Sequence, residues 1–171
     1  MVDIDGVISL FLRTQALAGA AAGAAADGAV EGSFHSIEGI PHFLSSTAAA
    51  HLLDLGELFE LVWASGWEER ANEHLPHLLG LPPRLPFLRF LDPSARGQRQ
   101  TRGHWKLAAI DAYARGRPLA WVDDALDEAC SAWADRRGAP TLLVQTIPEL
   151  GLTRREAQVL REWATGLASA G

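Results

Sequence analysis

Five short apolar runs, most of them separated by stretches of helical periodicity, limit what this chain can fold into. They are Met1 to Ile4, Leu58 to Ala64, Leu85 to Phe90, Pro118 to Val122 and Thr141 to Val144. Continuous apolar runs of this length fit strands buried on both faces of a parallel sheet. Pro86 weakens the third run, because proline offers no N–H to a ladder. Thr47 to Leu55, Glu68 to Leu79, Trp105 to Ala114, Asp124 to Arg137 and Thr153 to Leu167 carry apolar residues at helical spacing. Gly56, Gly80 and Gly116 stop the first three. Arg136 and Arg137 close the fourth, where the helix dipole favours cations, and Thr153 with Glu156 has capping-box spacing. Strands alternating with helices imply βαβ units. The expected fold is therefore an α/β, three-layer, Rossmann-like domain over residues 1–171, with a five-stranded, mainly parallel sheet and no large cap.

Two stretches break the alternation. Residues 9–46 hold an Ala/Gly tract (Ala16 to Ala26) followed by GAVEGSFHSIEGIPHF, read as a flap or minimal cap insertion that contains a hairpin. Asp92 to Gly103 is polar, Gly-rich and basic through Arg96, Arg99 and Arg102. It reads as an exposed loop, either simply solvated or gripping substrate phosphates next to Lys106.

The chain has 171 residues, with 15 Lys plus Arg against 21 Asp plus Glu and a formal net charge of −6. That balance argues against tight duplex DNA binding, which runs on released counterions and basic surface. A single cysteine, Cys130, forbids an intramolecular disulfide, so a reducing cytoplasm is expected. The opening MVDIDG places acids where a signal peptide wants Lys or Arg. The Ala/Gly tract is shorter than the ~20 residues that span a bilayer, so no membrane association is expected.

The polar residues are most informative through their position on the runs. Asp3 and Asp5 end the first run, Ser65 follows the second, Lys106 opens a helix after the basic loop, and Asp123 and Asp124 end the fourth. In a doubly wound sheet ligands bind at the carboxyl ends of the strands, so these groups are expected in one crevice. His74 and His77 sit three apart on a helix, but no third ligand stands near them, and a surface or core role is expected. Trp63, Trp121 and Trp133 fall on core positions, while Trp67 and Trp105 adjoin the polar motifs and line the expected pocket.

DIDGV (Asp3 to Val7), VWASG (Val62 to Gly66), the lysine of GHWK (Gly103 to Lys106) and WVDD (Trp121 to Asp124) occur in the order of the motifs of the haloacid dehalogenase superfamily, and the chain resembles that family. The VWASGWEERAN and GHWK…PLAWVDD runs are similar to the domain of this superfamily in Swiss-army-knife RNA repair proteins. The resemblance implies strand order 3-2-1-4-5 and a Mg²⁺-dependent phosphomonoester hydrolase working through an aspartyl-phosphate.

It makes Asp3 the nucleophile and Asp5 the acid that protonates the leaving oxygen, then the base that activates water. Ser65 and the backbone at Gly66 would hold phosphoryl oxygens, and Lys106 would neutralise charge on nucleophile and phosphate. Mg²⁺ would be held by Asp3, the carbonyl of Asp5, and Asp123 or Asp124, with Asp127 a further candidate. Gly6 would let the chain turn away from the site, and Trp67, Arg102 and Trp105 would meet the substrate. Asp5 favours phosphoryl chemistry over dehalogenation, because halide needs no proton to leave.

The implied substrate is a nucleotide, a small phosphorylated metabolite or a nucleic-acid end. The first run is shorter than the family's first strand, and the competing expectation is a non-catalytic binding or scaffold domain.

Overall fold

The computed structural model describes residues 1–11, 30–90 and 104–169. In chain order the elements are β1 (Ser9–Leu10), β2 (Gly32–Ile37), β3 (Ile40–Ser45), α1 (Ser46–Leu55), α2 (Arg70–Leu79), α3 (Leu107–Ala114), β4 (Leu119–Asp123), α4 (Glu128–Arg136), β5 (Thr141–Gln145) and α5 (Arg154–Ser169). Arg96, Arg99, Arg102 and the Ala16 to Ala26 tract lie outside the described residues.

The five-stranded, mainly parallel sheet expected from the apolar runs is not what forms. Among the described residues the strands make a three-stranded antiparallel sheet, ordered β1-β3-β2, and a two-stranded parallel sheet, β4-β5. Only the fourth and fifth runs build a ladder, from Leu119 opposite Thr141 to Asp123 opposite Gln145. The first three runs meet their neighbours at single parallel bridges: Val2 with Trp63, Val2 with Val122, and Trp63 with Phe87.

Local chemistry explains the shortfall. Beyond Asp3 the chain turns, and the N–H groups of Val7, Ile8 and Ser9 all donate to the Ile4 carbonyl. Pro86 has no donor, so the third run gives the second only its carbonyl there, to Trp63 N–H at 2.8 Å. After Ala64 the chain again enters a turn, with Glu68 N–H donating to the Ser65 carbonyl.

The centres of the first, second and fourth runs are nonetheless buried on both sides, which is why they read as continuous apolar sequence. Val2, Trp63, Ala120 and Val122 pack with Ile4, Leu44, Leu52 and Leu75. Their alternating neighbours Met1, Val62, Ala64, Leu119 and Trp121 pack with Leu88, Ile110 and Cys130. Asn72 on α2 ties the third run in place: its side chain accepts from Trp63 Nε1 and Leu85 N–H and donates to the Leu85 carbonyl.

Within 9–46, β2 and β3 form a hairpin turned by Glu38 and Gly39, both at positive φ, as a two-residue hairpin loop requires. Pairing of Ser9 with Leu44 fastens this hairpin to β1. The helices follow their sequence signals closely, with one correction. The helix expected from Asp124 begins at Glu128, because Asp127 caps it by accepting from Cys130 N–H at 2.9 Å. Ser45 caps α1 in the same way through Ala48 N–H, and the Glu156 carboxylate reaches back to Thr153 N–H. Among the described residues no helix is long and apolar enough to cross a membrane.

Candidate functional site

Two backbone hydrogen bonds set the site. Asp3 N–H donates to the Val122 carbonyl at 3.0 Å, and Ala64 N–H donates to the Val2 carbonyl at 2.8 Å. They align the ends of three apolar runs, so that Asp3 lies beside Asp123 and Asp124, and Ser65 follows directly on the other side. Lys106, just before α3, reaches into this junction. Its Nζ lies 2.7 Å from Asp3 Oδ2 and 2.7 Å from Asp123 Oδ2. All three side chains are sealed: Asp3 is 6% exposed, Lys106 2% and Asp123 0%. One buried cation thus faces two buried carboxylates, a costly arrangement unless every group is well partnered.

Asp123 is the best satisfied of the acids. Its Oδ2 also accepts from Trp121 Nε1 at 3.1 Å, and its Oδ1 accepts from Ala125 N–H at 3.0 Å. Asp3 is less well served. Burial pushes its carboxyl up to about 6, Lys106 opposes this, and the Asp123 charge adds to it. Asp124 is half-buried, and burial followed by the neighbouring Asp123 raises its pKa above the usual carboxylate range. One oxygen from each of Asp3, Asp123 and Asp124 lies within 4.8 Å of the others. This all-carboxylate set suits a hard divalent cation such as Mg²⁺, though it does not single out that metal. Asp123 already accepts three hydrogen bonds, so Asp124 is the more open ligand.

Gly6 has a more specific role than a simple turn. Its φ is +69°, and a Cβ there would sit 2.4 Å from Asp124 Cγ. The Asp124 carboxylate occupies the space that a side chain at Gly6 would fill. Thr146, not singled out in the sequence, locks this turn: its hydroxyl donates to the Gly6 carbonyl at 2.8 Å and its N–H to the Asp123 carbonyl.

Asp5 faces a different partner. Its Oδ2 accepts from Trp67 Nε1 at 3.0 Å, and burial raises its pKa against the pull of that hydrogen bond. Trp67 is buried and its N–H is committed to Asp5, so the structure makes it a support for the acid instead of an open substrate surface. Ser65 is buried, and its hydroxyl makes a long 3.4 Å contact with Trp67 N–H, a weak local cap. Gly66 carries the rim of the site, where Trp105 comes within 3.9 Å of a Cβ built there. Trp105 is 44% exposed and packs edge-on against Phe90.

Asp127 is exposed and spent on capping α4, and the backbone N–H of Cys130 holds its pKa low. It does not join the carboxylate set. His74 and His77 belong to no metal-ligating group among the described residues. Sequence reasoning missed two histidines near the acids. His104 accepts from Lys106 N–H through Nδ1 at 3.3 Å and packs edge-on to Trp121. His42 comes from β3 and packs edge-on against Trp67. His104 lies two residues from Lys106 and was within reach of sequence reasoning; nothing in the sequence near Asp5 points to His42. Compared with known proteins, the chain matches no family model, no curated protein and no solved structure.

Proposed function

We propose that this chain is a Mg²⁺-dependent phosphomonoester hydrolase of the haloacid dehalogenase kind, working through an aspartyl-phosphate on Asp3. The observation that carries the reading is the buried Lys106 ammonium shared by Asp3 and Asp123, with Asp124 alongside. A structural core gains little from two sealed carboxylates on one cation, whereas phosphoryl transfer needs a fixed nucleophile flanked by positive charge.

In this reading Asp3 attacks phosphorus, with Oδ2 held by Lys106 so that the other oxygen is presented. The bond from phosphorus to the ester oxygen breaks, and the leaving oxygen takes a proton from the Asp5 carboxyl. The raised pKa of Asp5 favours its holding that proton. Water then attacks the phosphoaspartate while the Asp5 carboxylate takes a proton from it. Inorganic phosphate leaves and Asp3 is restored. Asp124 and Asp3 would hold Mg²⁺, with Asp123 fixing Lys106 beside them. When bound, the ion supplies charge neutralisation for the phosphoryl oxygens. Ser65 and the Gly66 backbone would receive those oxygens.

The substrate is a phosphorylated small molecule or a nucleic-acid end. The test is hydrolysis of an aryl phosphate with and without Mg²⁺, comparing wild type with Asp3→Asn. Metal-dependent turnover lost in Asp3→Asn is expected. Turnover that survives the substitution, or a folded wild type that neither turns over nor gains stability from Mg²⁺, would overturn the reading.

A further inference from the structure

The β2–β3 hairpin brings an imidazole to the acid that serves the leaving group. His42 Nδ1 lies 2.9 Å from Ser9 Oγ. Ser9 is 3% exposed, and this is its hydroxyl's one side-chain partner among the described residues. If Nδ1 were the donor, the buried hydroxyl proton would have no acceptor among the described residues, at a cost of about 1–3 kcal/mol. The hydroxyl is therefore assigned as the donor to Nδ1, which leaves an N–H on Nε2.

Nε2 makes no hydrogen bond to a described residue, and His42 is half-buried. The ring lies 4.9 Å from that of Trp67, edge to face, and Trp67 Nε1 holds Asp5 Oδ2. Two groups on this side of the site are left without described partners: Asp5 Oδ1 and His42 Nε2–H. The first is the oxygen that serves the leaving oxygen in the proposed reaction. The second is an N–H donor one ring away.

Resting on the phosphohydrolase reading above, we propose that His42 is a specificity-determining residue whose Nε2–H donates to an oxygen on the leaving group, selecting phosphate esters of polyols and sugars over esters of plain aryl alcohols. A hydroxyl or ring oxygen close to the ester oxygen supplies the acceptor; a phenyl ring has none. The hairpin holds the donor in place, because β3 pairs with both β1 and β2 and Ser9 anchors the ring.

The experiment compares kcat/KM for glycerol phosphate and phenyl phosphate, with Mg²⁺, in wild type, His42→Asn and His42→Gln. Asn reproduces the Nδ1 position and keeps a partner for Ser9, so the fold is guarded, but it lacks the reach of Nε2. Gln can place an amide N–H near the Nε2 position. The glycerol-to-phenyl ratio should fall about tenfold in His42→Asn, the worth of one net hydrogen bond, and be retained in His42→Gln. A ratio unchanged in His42→Asn overturns the proposal, and so does an equal fall in both variants. A wild type that hydrolyses neither ester overturns the phosphohydrolase reading, and this assignment with it.

Discussion

In a chelating buffer, replacing Asp3 by Asn is expected to stabilise the fold while abolishing activity. Asp3 is almost completely buried, and burial lifts its carboxyl from 3.8 to about 6 even though the Lys106 ammonium lies 2.7 Å away. A displacement of about two units corresponds to roughly 3 kcal/mol held against the ionised form. The folded chain binds this proton more tightly than the unfolded chain does. Stability therefore falls as pH rises from about 4 to about 6, and the penalty is complete above that window. Asn is nearly isosteric, carries no charge and still offers an oxygen to Lys106. The gain should be about 1–3 kcal/mol near pH 7, allowing for relaxation around the amide, and should vanish near pH 4.

Urea denaturation of both proteins across this pH range measures the difference. Adding Mg²⁺ should offset most or all of that advantage, because only the wild type gains the full binding energy, about 2.7 kcal/mol at a hundredfold excess over Kd. An Asp3→Asn protein less stable than wild type near pH 7 without metal would refute the reasoning. So would a difference that stays constant between pH 4 and pH 7.

Three further substitutions test the parts separately. Gly6→Ala puts a Cβ where the Asp124 carboxylate lies and strains a positive φ, so a loss of about 1–3 kcal/mol and at least tenfold weaker Mg²⁺ binding are expected from thermal melts and metal titration. Lys106→Met leaves two buried carboxylates without their cation and should cost about 3–5 kcal/mol in denaturant, with turnover gone; a cost below 1 kcal/mol would mean that the acids are solvated. Asp127→Ala removes a helix cap and should cost about 1 kcal/mol while leaving Mg²⁺ affinity intact; weakened metal binding would return Asp127 to the ligand set.

The order of helices, the cap at Thr153 and the gathering of Asp3, Lys106, Asp123 and Asp124 were legible in the sequence, because each depends on local pattern or on the ends of apolar runs. The extent of pairing was not. An apolar run reports that a segment is buried, and Leu85 to Phe90 is buried in part, but burial does not require a ladder where Pro86 lacks its donor and Asn72 already takes the Leu85 N–H and carbonyl. The first run misled for a related reason: the Ile4 carbonyl collects three N–H groups from the turn that follows, which leaves the run one bridge to each neighbour, both at Val2.

That arrangement bears on function. A nucleophile on a short segment with one bridge to each neighbour, both at Val2, gains further constraints from the side-chain contacts of Lys106 and from the lock of Thr146 on Gly6, which joins the turn after the first run to the residue after β5. Positional precision at Asp3 then depends less on sheet pairing than on the charge cluster itself. For that reason the ion-pair variants, more than any strand variant, should separate folding from activity.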